Sequence, residues 1–230
     1  WLHEPSKINF SWIPEGCFFI GCDANDSSCN MDRNVGQQVC VDGFWLANHE
    51  VSQQQWKAIM GSNPAKFNTN QYKPVEQVSW NDASLFMCKL NGLSDKLFRL
   101  PTEAEWEYAC EQGELSPEQD EYEYESLEAS LPVTESNKNA LGLHGMNNNV
   151  WEWTADVYFN KGYQYLSRKQ ALYTGSGLYH YKGGRVDRVH RGGSWARTEA
   201  ATACSARNFD GQSFKSFYIG LRPVMYPLSK

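Results

Sequence analysis

RLPTEAEWEYAC, residues 99–110, is the stretch on which the fold turns. Thr102 and Glu105 have the spacing of a capping box, in which each side chain bonds the other residue's backbone N–H at a helix start. The spacing predicts a helix here. Immediately upstream, VSWNDASLFMCKLNG (78–92) predicts a second helix. Ser79 and Asp82 cap it, and Ala83, Phe86, Met87 and Leu90 fall at i, i+3, i+4 and i+7, one apolar face. Further back, VSQQQWKAIMG (51–61) repeats the pattern, with Ser52 and Gln55 as the capping box and Gly61 as the stop.

The segments around these helices carry other signals. PEGCFFIGC (14–22) and QQVCVDGFWLANHEV (37–51) are apolar, aromatic runs bounded by Gly, Asp and Asn, and read as two strands of a hairpin. SNPAKFNTNQYKPVEQ (62–77) reads as loop. Residues 111–139 are rich in Glu and read as a solvated acidic loop. From 140 to 223 short strands alternate with Gly-rich turns. Helices early and strands late, without βαβ alternation, indicate an α+β fold.

Composition narrows the function classes. The 230 residues are 41% hydrophobic and include 9 Trp, which fits one globular domain over 1–230 and argues against disorder. A net charge of −6 disfavours nucleic acid and anionic membrane surfaces as partners. There is no apolar run long enough for a transmembrane segment. The chain starts at Trp1, which leaves room for a removed signal peptide or lipid anchor.

Four of the seven cysteines, Cys17, Cys22, Cys29 and Cys40, cluster near the start. They lack the C-x2-C knuckle of a zinc site and read as disulfides of an oxidising compartment: periplasmic, cell-surface or secreted. Four cysteines allow three pairings. The hairpin reading selects Cys17–Cys40 across the strands and Cys22–Cys29 in the connecting loop. None of the five His forms an H-x3-H pair, so an iron site is not expected.

The markers above, followed by ALGLHGMNNNVWEWTAD (140–156), RVHRGGSW (188–195) and IGLRPV (219–224), resemble in order the formylglycine-generating enzyme, or sulfatase-modifying factor, family. The resemblance covers about residues 10–226. It implies a C-type-lectin-like core of small twisted sheets, flanking helices and much irregular loop. It also implies a choice of function. The family includes copper-dependent oxidases that convert a sulfatase cysteine to formylglycine, iron enzymes, a pyoverdine maturation factor and ligand-binding proteins.

Several site residues follow from the resemblance. Counted without gaps from Ser194, the two copper-binding cysteines of the oxidases fall on Arg197 and Thr202, so no copper is expected. Relatives often carry both Cys88 and Cys110, which implies that these two pair and that Cys204 is a free thiol. In many relatives the turn before the WEW motif binds Ca2+ through a side-chain oxygen, two backbone carbonyls and the Glu. These map to Gly145, Asn148, Val150 and Glu152. Gly145 has no side chain, with Asn147 as the nearest substitute. The same turn also reads as metal-free, held by Asn side chains and buried Trp151 and Trp153.

Two function classes remain. The first is an extracytoplasmic, non-catalytic binding or assembly module for a protein partner or extracellular ligand. Its surface would lie in segment 195–218, with Trp195, Arg197, Glu199, Asn208 and Tyr218 as contact residues beside Phe209, Phe214 and Phe217. The second is a periplasmic maturation enzyme acting on a peptide without the copper–cysteine site, through a groove near Ser194, Arg197, Glu199 and Arg207.

Overall fold

A computed structural model describes residues 1–21, 37–113, 129–159, 163, 186–196 and 203–227. The three helices form where their caps predict. They are α1 (Gln53–Met60), α2 (Trp80–Asn91) and α3 (Glu103–Glu111). Each begins with a reciprocal capping box, Ser52/Gln55, Ser79/Asp82 and Thr102/Glu105 respectively. α1 stops at Gly61, whose φ of 84° is the left-handed conformation that favours glycine.

Eleven strands accompany the helices among the described residues. They are β1 (Leu2–His3), β2 (Ile8–Ile13), β3 (Gly16–Ile20), β4 (Gln37–Val41), β5 (Phe44–Ala47), β6 (Lys96–Arg99), β7 (Trp151–Val157), β8 (Asp187–Arg191), β9 (Arg207–Gly211), β10 (Ile219–Leu221) and β11 (Val224–Pro227). One sheet has the order β1-β2-β5-β11-β6, a second β10-β7-β8-β9, and β3 pairs with β4 alone. All pairings are antiparallel except β10 with β7. The arrangement is mixed α+β.

The hairpin expected over 14–51 is only partly what forms. Gly16 to Ile20 pairs with Gln37 to Val41, with Cys17 opposite Cys40. Phe44 to Ala47, read as a continuation of the same strand, leaves at Asp42–Gly43 and joins the first sheet between β2 and β11. There Phe44, Leu46 and Ala47 are fully buried.

Two clusters of buried side chains hold the fold. One packs Phe86, Met87 and Leu90 of α2 against Trp56, Trp151, Trp153 and Ile219. The other gathers Ala104, Trp106, Tyr108 and Ala109 of α3 with Ile13, Ile20, Val39, Phe44 and Val224. α3 lies against β3, β4, β7 and β8. It is therefore buried around most of its circumference, acidic residues included.

The disulfides match the sequence expectation at one place and correct it at another. Cys17 is bonded to Cys40. Cys22 and Cys29 lie outside the described residues. Cys88 and Cys110 do not pair: Cys110 is bonded to Cys204, and Cys88 is free and exposed. Geometry explains the exchange. The apolar face of α2 turns Ala83, Phe86, Met87 and Leu90 inward, which leaves Cys88 on the solvent side. Cys110 is 2% exposed inside the second core, where Cys204 packs against the same cluster. Cys204 is thus not a free thiol.

Candidate functional site

Three of the sequence markers converge on one buried ion pair. Glu152 on β7 and Arg222, just after β10, both have fully buried side chains. Arg222 donates from Nε to both Glu152 oxygens at 3.0 Å and from Nη2 to Oε1 at 2.7 Å. Trp106 of α3 donates its indole N–H to Glu152 Oε2 at 2.7 Å. Arg222 also donates to the carbonyls of Ala47 and His144. Burial opposes the guanidinium charge, but Glu152 outweighs it and holds the Arg222 pKa above its ordinary value.

A second network lies along α3. Glu103 accepts two bonds from Arg207, at 2.8 and 2.9 Å, one from the Tyr163 hydroxyl at 2.8 Å, and pairs with Arg191 at 3.0 Å. Glu107 pairs with Arg191 and accepts the Gly21 N–H. Burial alone would raise the Glu103 carboxyl, yet Arg207 and Arg191 together hold it below the usual carboxylate range. Arg191 also donates to the carbonyls of Cys204 and Ala206, so the network anchors the segment that carries the disulfide.

This network decides how one candidate groove residue is used. The Arg207 side chain is 2% exposed and is committed to Glu103. Ser194 is 3% exposed, and its Oγ has no hydrogen-bond partner. Arg197, Glu199 and Thr202 lie outside the described residues.

At the candidate calcium turn the structure brings in a residue that the sequence did not point to, Glu50. Gly145 has φ of 67°, and a Cβ on it would meet Glu50 Oε1 at 2.6 Å. The Glu50 carboxylate therefore fills the space where a side chain at 145 would stand. Glu50 is fully buried, and neither of its oxygens has a hydrogen-bond partner. The buried Asn148 Oδ1 is also without one. Burial pushes the Glu50 carboxyl up to about 8, against the pull of Arg222 and with a push from Glu152. The Asn147 Oδ1 lies against the disulfide, 2.8 Å from Cys110 Sγ.

Glu50 and Glu152 are buried carboxyls near one guanidinium, and the Glu50 oxygens, without hydrogen-bond partners, are donors of the kind a hard cation such as Ca2+ takes. Among the described residues no group of three or more His, Cys, Asp or Glu is gathered as a metal site. Calcium on this turn would therefore draw on carbonyl oxygens as well. The signal for Glu50 lay in the sequence only as an acid next to His49, with nothing in its spacing to connect it to Gly145.

The contact residues divide between two edges of the second sheet. Trp195 and Tyr218 come together, with ring centroids 5.4 Å apart, and Phe217 packs 4.1 Å from Tyr218. Phe67 meets Trp195 at 5.5 Å and Phe217 at 5.9 Å, both edge to face. Lys66 lies over the Phe217 ring at 4.1 Å. All four rings are half-buried and Lys66 is exposed.

Lys66 and Phe67 come from the segment read as plain loop. The buried Glu76 fastens that loop by accepting the Phe67 N–H at 2.7 Å. Asn208 is not part of the cluster: it lies on β9, at the edge of the sheet opposite β10. Its neighbour Phe209 stacks on Tyr158, and Phe214 is exposed.

Comparison with known proteins places this geometry. The chain is 28% identical to the formylglycine-generating enzyme of Mus musculus over 179 residues, covering 68% of this chain and 43% of that protein. It therefore spans less than half the length of the mouse enzyme. It is 25% identical to the chaperone protein LppX of Paenibacillus barcinonensis over 195 residues, covering 58% of this chain and 68% of that one. Among solved structures, Treponema denticola variable protein 1 superposes with a TM-score of 0.80 at 24% identity, over 96% of this chain and 95% of the other, a likeness of fold. The description "sulfatase-modifying factor enzyme 1-like domain" matches residues 4–226, a span that holds Trp106, Glu152 and Arg222 alike. The chain belongs to the sulfatase-modifying factor enzyme 1-like domain family.

Proposed function

We propose that this domain is a binding module for a protein partner outside the cytoplasm, and that its contact face is the cluster of Phe67, Trp195, Phe217 and Tyr218 with Lys66 at its rim. The observation that carries this reading is the mutual contact of four half-buried rings drawn from three distant segments. Large aromatic side chains with a polar rim are the groups that dominate protein contacts. Two disulfides among the described residues suit an oxidising compartment. No helix among the described residues is long and apolar enough to cross a membrane. The relative from Paenibacillus is described as a chaperone, a role that acts on other proteins.

Calcium belongs to the same reading as a structural ion. Glu50, Asn148, Val150 and Glu152 would hold it, and it would neutralise the excess carboxylate charge and stiffen the turn before β7. Calorimetric titration of the metal-stripped chain checks this, with binding expected for the native chain and lost in Glu50→Gln.

The test of the contact face is capture of the native partner by chemical crosslinking, followed by affinity measurement. Trp195→Ala with Tyr218→Ala is expected to weaken binding by at least a hundredfold, about 3 kcal/mol. An affinity unchanged in that double variant would overturn the reading.

A further inference from the structure

A cleft of about 500 Å3 opens beside α1, lined by Gln53, Gln54, Lys57, Ala58, Asn63, Asn68 and Gln71. Its volume falls within the range of small-molecule sites, about 300–1,000 Å3. Its chemistry is unusual for such a site. Five of the seven lining residues are carboxamides, one is an amine, and there is neither a carboxylate nor a large apolar side chain.

The floor of the cleft is fixed. Gln53 is 1% exposed, and its Nε2 donates to the carbonyls of Phe67 and Pro74, at 3.1 and 3.3 Å. Its Oε1 accepts from Asn63 Nδ2 at 2.9 Å, and Asn63 Oδ1 accepts the Ala65 N–H. The Gln54 N–H donates to the Gln71 carbonyl at 2.9 Å, which ties the two walls together. The rim is different. Gln54, Lys57, Asn68 and Gln71 are exposed, and their side chains form no hydrogen bond with the described residues.

We infer that this cleft binds a saccharide. Each carboxamide presents a donor and an acceptor side by side, and a hydroxyl both donates and accepts, so neighbouring hydroxyls of a sugar match a free carboxamide in either orientation. A preformed floor lowers the ordering cost of binding. A peptide fits less well, because peptide affinity depends on apolar anchors or several charged pairs, and the cleft offers no apolar pocket and one charge only. Lys57, the single charge, accommodates a carboxylate-bearing sugar unit as well as a neutral one. The cleft adjoins the aromatic contact face at Phe67, whose carbonyl Gln53 holds, but the two share no lining side chain.

The experiment screens the full chain against an array of defined neutral and uronic-acid oligosaccharides, then titrates the strongest responder calorimetrically. Gln54→Ala with Gln71→Ala is expected to weaken that binding at least tenfold with the unfolding midpoint unchanged, since both side chains are exposed. Leu85→Ala, on the solvent side of α2, is expected to leave it as it is. No response from any saccharide on the array, affinity unchanged in the double variant, or capture of an extended peptide at the cleft instead would each overturn the inference.

Discussion

Cys110, at the end of α3, is bonded to Cys204, 94 residues further along the chain. The bond closes a long loop over the segment that the buried Arg191 also grips through the Cys204 carbonyl. Loop-closure entropy for a separation of this size is worth about 4–5 kcal/mol. Cys204→Ser is therefore expected to lower the unfolding free energy by about 4 kcal/mol in urea titration. A loss below about 1 kcal/mol would show that the bond does not constrain the unfolded chain.

The same pairing fixes which thiol reacts. Cys88 is exposed and free, while Cys110 and Cys204 have no thiol to offer. Iodoacetamide applied to the native, unreduced protein is expected to modify Cys88 and neither of the other two, as read by peptide mapping. Modification of Cys110 would contradict the structure.

Glu152 and Arg222 form a fully buried pair, so removing one strips the other of its hydrogen-bonded counter-charge, and Arg222 would keep only the unbonded Glu50 near it. Glu152→Gln is expected to cost about 3–5 kcal/mol. Replacing both with apolar residues of similar volume should cost less than the sum of the two single changes, because the loss of their mutual attraction is then counted once. The carbonyls of Ala47 and His144 would still lose their donor, which keeps the double change unfavourable. Additive losses in the double-mutant cycle would exclude coupling between the two.

How much of this was legible beforehand depended on the range of the interaction. The three helices were visible because a capping box is local: Ser52 and Gln55, Ser79 and Asp82, Thr102 and Glu105 each lie within one turn. The Cys17–Cys40 bond was visible because both residues sit on a short-range antiparallel pair. The Cys110 partner was hidden, because nothing near Cys110 or Cys204 in sequence encodes a contact across 94 residues. The same holds for Phe67, which meets Trp195 and Phe217 only through the tertiary fold, and for Glu50 beneath Gly145. The polar residues of the cleft looked like ordinary loop and helix surface for the same reason.

Glu50 makes the stability of the calcium-free protein depend on pH. Its carboxyl titrates near 8 when folded and near the ordinary 4.5 when unfolded. Between those values the folded state holds a proton that the unfolded state has released, so stability falls as pH rises from about 4.5 to 8. The loss is on the order of a few kcal/mol. The buried His49, lowered to about 4 chiefly by burial, acts in the opposite sense below about 6.5. Comparison with Glu50→Gln isolates the carboxyl. In chelator, the native chain is expected to lose stability relative to the variant across this window. Parallel pH profiles for the two proteins would mean that Glu50 is not the source.

The chain is also expected not to convert cysteine to formylglycine. That chemistry, in the oxidases of the family, needs soft Cu(I) between two thiolates, and thiolate sulfur is what selects this ion. The corresponding positions by ungapped count are Arg197 and Thr202. Arg197 adds a permanent positive charge in the place of a metal ligand. The thiol nearest in sequence, Cys204, is spent in the bond to Cys110, and Cys88 is turned to solvent on α2. These residues do not fit copper. Incubation of the purified chain with Cu(I), oxygen and a Cys-x-Pro-x-Arg peptide should leave the peptide mass unchanged. Aldehyde formation above that seen with a Cys204→Ala variant would mean that the disulfide opens in the working protein and that Cys204 serves as a ligand.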